Sequence, residues 1–194
     1  AVALAPGCRE LARDHFGIGA QMVDAPSADE VVIAVREASA ALGVLPLADS
    51  PGRAPWWLAL ADLSAAERPC VIARIPFGTC GDSAPVRDAV VIAAAEPEPS
   101  GDDCTLYAVT APGALGSARI TDALLAADLD GGPLAEAERH GGAAALIEVG
   151  GLFAAADHRV RAALDPLAGG LKAAWLGAYA RPLPDALLGG IAPE

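Results

Sequence analysis

The sequence predicts an α/β lobe followed by an α+β unit of βαββαβ order, and three observations carry that prediction. The first half alternates short apolar runs with amphipathic stretches, the pattern of parallel strands joined by helices. A stretch without apolar side chains, "EPEPSGDD" from Glu96 to Asp103, then interrupts the chain. Beyond it the apolar runs change their order to strand, helix, two strands, helix, strand.

In the first half, "AVALAP" reads as a buried strand and "GCRELARDHFG" as a helix with Leu11, Ala12 and His15 or Phe16 inward. "AQMVDA" is the next strand. "SADEVVIAVREASAAL" opens with Ser27 and Glu30 at capping-box spacing and sets Val31, Ala34, Val35 and Ala38 on one helical face. "ALGVLPLA" closes the βαβαβ unit. "SPGRAPWW" breaks the pattern, and "WWLALADL" makes a short helix whose Trp56 and Trp57 are expected to cover a sheet edge. "PCVIARIPF" and "DAVVIAAA" follow as neighbouring strands, separated by "GTCGDSAPVR".

In the second half, "CTLYAVTA" is a strand and "GSARITDALLAAD" a helix with Ile120, Leu124 and Ala127 in phase. "PLAEAERHG" and "AAALIEVG" are two strands joined around Gly141 and Gly142. "AADHRVRAALDPLAGG" is a helix with Val160, Ala163, Leu164 and Leu167 in phase, and "LKAAWLGAYARPL" is the last strand. This order is the ferredoxin-like unit, an antiparallel four-stranded sheet with both helices on one face. The expected division is 1–95 for the lobe, 96–103 for a linker, 104–183 for the second unit and 184–194 for a loosely held tail.

Composition narrows the function classes. The 194 residues, 54% of them hydrophobic, suffice for one large core or two small ones. A formal net charge of -12, with Lys172 the single lysine, repels phosphate backbones, so nucleic acid is not an expected partner. No apolar run reaches the roughly 18 residues that cross a bilayer, and the first residues lack the pattern of a secretory signal. No membrane partner is expected, and the cytoplasm is the expected location. Because "AVALAP" starts without methionine and is already a strand, a preceding segment is expected.

Cys8, Cys70, Cys80 and Cys104 form no CxxC pair and lie far in sequence from His15, His140 and His158. That spacing argues against a metal, and no cofactor is expected; the cysteines read as small buried thiols. Ser50 reads as a turn or cap residue ahead of Pro51, and His15 as a packed or exposed side chain beside Phe16. Asp102 and Asp103 read as solvated linker.

Two sets of motifs together resemble the prephenate dehydratases of phenylalanine biosynthesis, including those fused behind a chorismate mutase. "ALAPGC" stands where that family opens on a Gly-Pro turn, and "GVLPLADS" where it places Gly-Val-Val-Pro-Ile-Glu-Asn-Ser. "APGAL", "AERH" and "LGAYA" are similar to three motifs of the family's ACT domain, Pro-Gly-Ala-Leu, Glu-Ser-Arg-Pro and Leu-Gly-Ser-Tyr-Pro. The resemblance implies a periplasmic-binding-protein-like α/β lobe followed by an ACT-like domain of the ferredoxin-like βαββαβ order. It also implies a homodimer that binds an aromatic amino-acid effector such as phenylalanine. The effector residues it implies are Pro112, Gly113, Ala114 and Leu115 on one loop and Glu138, Arg139 and His140 on the second strand. A helix N-terminus at Gly113 and Ala114 would favour the effector's carboxylate.

The departures from the family pattern concern catalysis. Asp88-Ala89-Val90 stands where the dehydratases carry Thr-Arg-Phe, so no arginine is present there to pair a dicarboxylate. Glu-Asn has become Ala48-Asp49, leaving Ser50 alone, and Cys8 replaces a hydroxyl residue. Between Phe77 and Asp88 the chain has only "GTCGDSAPVR", too little to build the family's second lobe and its substrate cleft. Ala48, Asp49 and Ser50 therefore read as a remnant loop, with no catalytic residue assigned. The leading expectation is a non-catalytic regulatory or assembly module of aromatic amino-acid biosynthesis, with any chorismate mutase activity in a preceding segment. The alternatives are a minimal prephenate dehydratase using Ser50 and a purely structural dimerisation unit.

Overall fold

The computed structural model describes residues 1–4, 7–17, 19–47, 54–77, 88–139 and 141–183. Three short parallel strands begin the chain: β1 (Val2–Leu4), β2 (Val23–Ala25) and β3 (Leu42–Pro46), with β1 between the other two. Their crossovers are helices α1 (Cys8–Phe16) and α2 (Ala28–Arg36). Leu11 and Ala12 of α1 are buried, as their spacing predicts, while His15 and Phe16 are half-buried. Ser27 caps α2 by accepting the Glu30 backbone N–H at 3.3 Å, which is why the helix starts there. Val31, Val32 and Val35 of α2 are buried. Gly43 of β3 allows that approach, since a Cβ there would stand 2.7 Å from Val31 and 2.8 Å from Ile92. Ala38, expected in phase with these valines, instead lies past the helix with φ 55 and exposed. The chain must reverse there to enter β3, and the Ala34 carbonyl accepts the Ala40 N–H at 3.0 Å.

Helix α3 (Trp56–Ala61) corrects one expectation. Trp56 and Trp57 are 2% and 0% exposed and belong to the central core, because α3 packs on the middle strands of the sheet and not on its edge. Strands β4 (Cys70–Ile75) and β5 (Ala89–Ala93) pair antiparallel, Cys70 opposite Ala93 and Ile75 opposite Ala89. They are neighbours, as the sequence predicts, and β5 also pairs antiparallel with β3.

The second half runs β6 (Asp103–Ala111), α4 (Ser117–Ala126), β7 (Gly131–Arg139), β8 (Gly142–Gly150), α5 (Arg159–Leu164) and β9 (Lys172–Ala180). This is the βαββαβ order read from the sequence. Its strands lie in the order β9-β6-β8-β7, all antiparallel to their neighbours. Ile120, Leu124, Val160 and Leu164 are fully buried against Val109, Ile147 and Val149. Two periodicity readings shift by a turn: Ala127 is the exposed C-cap of α4 and Leu129 is buried beyond it, while Leu167 falls in a 3-10 turn after α5.

The two halves join in one mixed sheet whose described strands run β2-β1-β3-β5-β4-β9-β6-β8-β7. At the seam β4 pairs parallel with β9 through Val71 and Gly177. Gly177 has φ +127, and a Cβ there would lie 2.5 Å from the Val71 nitrogen and closer still to its carbonyl oxygen. Only glycine permits that contact. Arg68 stitches the same seam, donating to the Leu60 and Leu63 carbonyls at 2.8 and 2.7 Å and to Trp175 of β9 at 2.8 Å.

The stretch before β6 is also tied down. The carboxylate of Asp103 is buried and accepts from the Ser100 hydroxyl at 2.6 Å and from the Ser100 and Gly101 backbone N–H groups at 3.1 and 3.2 Å. Asp103 therefore closes a turn and is not the solvated linker residue its Pro-Ser-Gly setting suggests; Asp102 is held by Arg181 at 3.1 Å. Among the described residues no helix is long and apolar enough to cross a membrane.

Candidate functional site

In open α/β sheets ligands settle beyond the carboxyl ends of the strands. Here β1, β2 and β3 end at Leu4, Ala25 and Pro46, and α2 begins beside them. A cavity of about 490 Å³ opens at this point, with Leu4, Pro26, Pro46, Pro55 and Ala59 among its apolar walls. Among the described residues its charged groups are Asp29 from the first turn of α2, Asp62 after α3, and Arg139 from the end of β7. Arg139 comes from the other half of the chain and donates to Asp62 at 2.6 Å.

A second cavity of about 560 Å³ shares Asp62 and Arg139 with the first. Pro112, Thr110, Gly141 and Lys172 contribute to its walls.

These cavities show where the effector residues implied by the resemblance stand. Pro112 and Arg139 are brought to one cavity. Gly113 and Ala114 are exposed, with open space around the position a Gly113 Cβ would take. Glu138 is exposed on β7, and Leu115 is buried in the core under α4. The N-cap of α4 is Gly116, so the helix starts beyond Gly113 and Ala114 and not at them. His140, together with Ala48, Asp49 and Ser50 of the loop read as a remnant, lies outside the described residues.

The start of β5 has its own electrostatics. Ala89 and Val90 are fully buried, and Asp88 pairs with Arg74 of β4 at 3.2 Å. Arg74 also approaches Glu148 at 3.7 Å and lies 5.9 Å from the centre of the Tyr179 ring. Tyr179 donates its hydroxyl to Glu148, and burial, reinforced by that carboxylate, pushes the phenol well above its ordinary value. The sequence reading misses this network, because its four members come from four separate stretches of the chain.

Nucleophile chemistry finds little support among the described residues. Burial pushes the Cys8 thiol up to about 12, and burial with the nearby Glu148 carboxylate pushes Cys104 up to about 11, so neither supplies a thiolate near neutrality. His15 packs edge-on against Phe16 and Phe77, each ring centre 4.9 Å away. No group of three or more His, Cys, Asp or Glu side chains suited to a metal ion occurs among the described residues.

No family model and no curated protein matches the chain. Solved structures do. One is a prephenate dehydratase from Arthrobacter aurescens in complex with L-Phe, similar at 17% identity and a TM-score of 0.63 over 99% of this chain and 92% of that one. Another is GqqA, described as a novel type of quorum quenching acylase, at 17% identity and a TM-score of 0.59 over 97% of this chain and 98% of that one. A third is prephenate dehydratase from Streptococcus mutans, at 14% identity and a TM-score of 0.56 over 92% of this chain and 96% of that one. At these identities the likeness establishes a shared mixed α/β fold.

Proposed function

We propose that the chain is a non-catalytic regulatory or assembly module of aromatic amino-acid biosynthesis. In this reading 1–95 is a degenerate, periplasmic-binding-protein-like dehydratase lobe, and 104–183 is an ACT-like unit that dimerises and responds to phenylalanine. The observation that carries it is Asp88: a carboxylate already engaged by Arg74 stands where a substrate-binding arginine is expected, beside two buried apolar residues. An anionic substrate meets the carboxylates of Asp88 and Glu148 there, and the Arg74 guanidinium beside them is already engaged by both. The fold shared with a dehydratase that binds L-Phe supports the effector class.

The edge of the sheet supports the assembly. Among the described strands β7 is an outermost one, nine residues long with Leu134 exposed, and a long sheet edge is commonly completed across a two-fold axis. The effector would then lie at the interface, with the exposed backbone of Gly113 and Ala114 receiving its carboxylate. Sedimentation equilibrium at micromolar concentration, paired with thermal shifts in L-phenylalanine, tests the reading. The expected result is a dimer stabilised by the ligand, by about 2.7 kcal/mol at a hundredfold excess over Kd. Gly113→Val should keep the dimer and lose the shift, because a branched Cβ blocks approach to the backbone. A monomer contradicts the interface, and a dimer with no shift leaves a purely structural unit.

A further inference from the structure

We infer that the 490 Å³ cavity between α2, α3 and the end of β7 is a binding site for a small zwitterion with an apolar body, an α-amino acid being the simplest case. It goes beyond the interface site proposed above, since it is built within a single chain and Gly113 is not part of its lining.

Its size falls within the ~300–1,000 Å³ range of small-molecule sites. Its charged groups are what select the ligand class. Among the described residues, Asp29 and Asp62 set two carboxylates against one guanidinium, that of Arg139, in a chain whose formal net charge is -12. A simple anion meets a wall of net negative charge, and a simple cation leaves Arg139 without compensation when Asp62 turns to it. A zwitterion satisfies both signs, its carboxylate on Arg139 and its ammonium between Asp62 and Asp29.

The Asp62–Arg139 pair already holds these two groups side by side at 2.6 Å. The two side chains are 57% and 41% exposed, so the pair is weakly held and opens at little cost. The proline and alanine walls then cover the ligand's side chain. Since Arg139 arrives from the last residue of β7, ligand binding clamps the β7–β8 hairpin to α3.

Isothermal titration of the full chain with L-leucine, its carboxamide and its N-acetyl derivative tests the site. The free amino acid is expected to bind, and blocking either charge should weaken binding about tenfold or more, the usual loss of a charged hydrogen bond. Ala59→Phe, which fills the cavity, should abolish binding; Asp62→Asn and Asp29→Asn should each weaken it several-fold; Gly113→Val should leave it unchanged. Circular dichroism and the melting transition verify folding of each variant, and the two Asp→Asn variants decide the matter if Ala59→Phe fails to fold. A carboxamide that binds as well as the free amino acid, affinity unchanged in both Asp→Asn variants, or no binding at millimolar ligand would each overturn the inference. Binding lost in Gly113→Val but kept in Ala59→Phe would overturn it while supporting the interface reading.

Discussion

The two halves of the sheet are built to different standards. Each strand of the second half is nine residues long and the four pair in antiparallel ladders, while the strands of the first half have three to six residues and mix directions. Yet the longer sheet is the dependent one. Helices α4 and α5 cover only one of its faces, burying Val109, Ile147 and Val149. Its other face, with Leu106, Leu146, Leu176 and Tyr179, belongs to the same core as Trp56, Trp57 and Leu60 of the first half. The lesson is that the first half of the sheet supplies the second wall of the unit that follows it.

Gly177→Val should break this arrangement most severely. The side chain would enter the Val71 backbone at the seam and force a residue off φ +127, a combination expected to cost about 4 kcal/mol or more. Urea unfolding followed by tryptophan fluorescence should show the midpoint collapse. An unchanged midpoint would mean that the seam does not hold the halves together.

Trp57→Ala sharpens the comparison. It removes a fully buried side chain of the first half, at about 3–5 kcal/mol, comparable with Leu124→Ala in the second half at about 2–5 kcal/mol. Because the core that holds Trp57 spans both halves and shares the second sheet with the core of Leu124, each variant should lower a single unfolding transition. Two separated transitions, with Trp57→Ala moving only one, would show that the second half stands alone.

The smallest expected effect is on pH dependence. Cys8 in the first half and Cys104 in the second have thiols raised from 9.0 to about 12 and about 11. Above pH 9 the unfolded chain releases these protons while the folded chain keeps them, so stability falls as pH rises from about 9 through these values. Tyr107 and Tyr179, also raised by burial, act in the same direction at higher pH. The urea midpoint should therefore be lower at pH 10.5 than at pH 8, with the decline reduced in Cys8→Ala. A midpoint that rises over this interval would contradict the burial of these groups.

What the sequence made legible follows from how local each signal is. Ser27 and Glu30 announce a helix start three residues apart, and Ile120 with Leu124 announces a buried face within one turn. The order of elements in both halves could be read in this way. Trp56 and Trp57 could not be placed, because adjacent tryptophans have no periodicity that separates an edge from a centre. Asp103 looked solvated because its Pro-Ser-Gly neighbours are turn formers, and the turn they form is what buries its carboxylate. The candidate site was the least legible part. Arg139 meets Asp62 across 77 residues and Arg68 meets Trp175 across 107, and no local pattern records such meetings. The resemblance drew attention to Arg139, but the cleft it completes with α3 emerges only from the fold.

The proposed regulatory, non-catalytic reading is tested most directly by prephenate turnover of the purified chain, followed as phenylpyruvate formation. That proposal predicts no conversion above the spontaneous rate, since Asp88, held by Arg74, stands where the resemblance implies a substrate-binding arginine. Robust turnover that disappears in Ser50→Ala would contradict it.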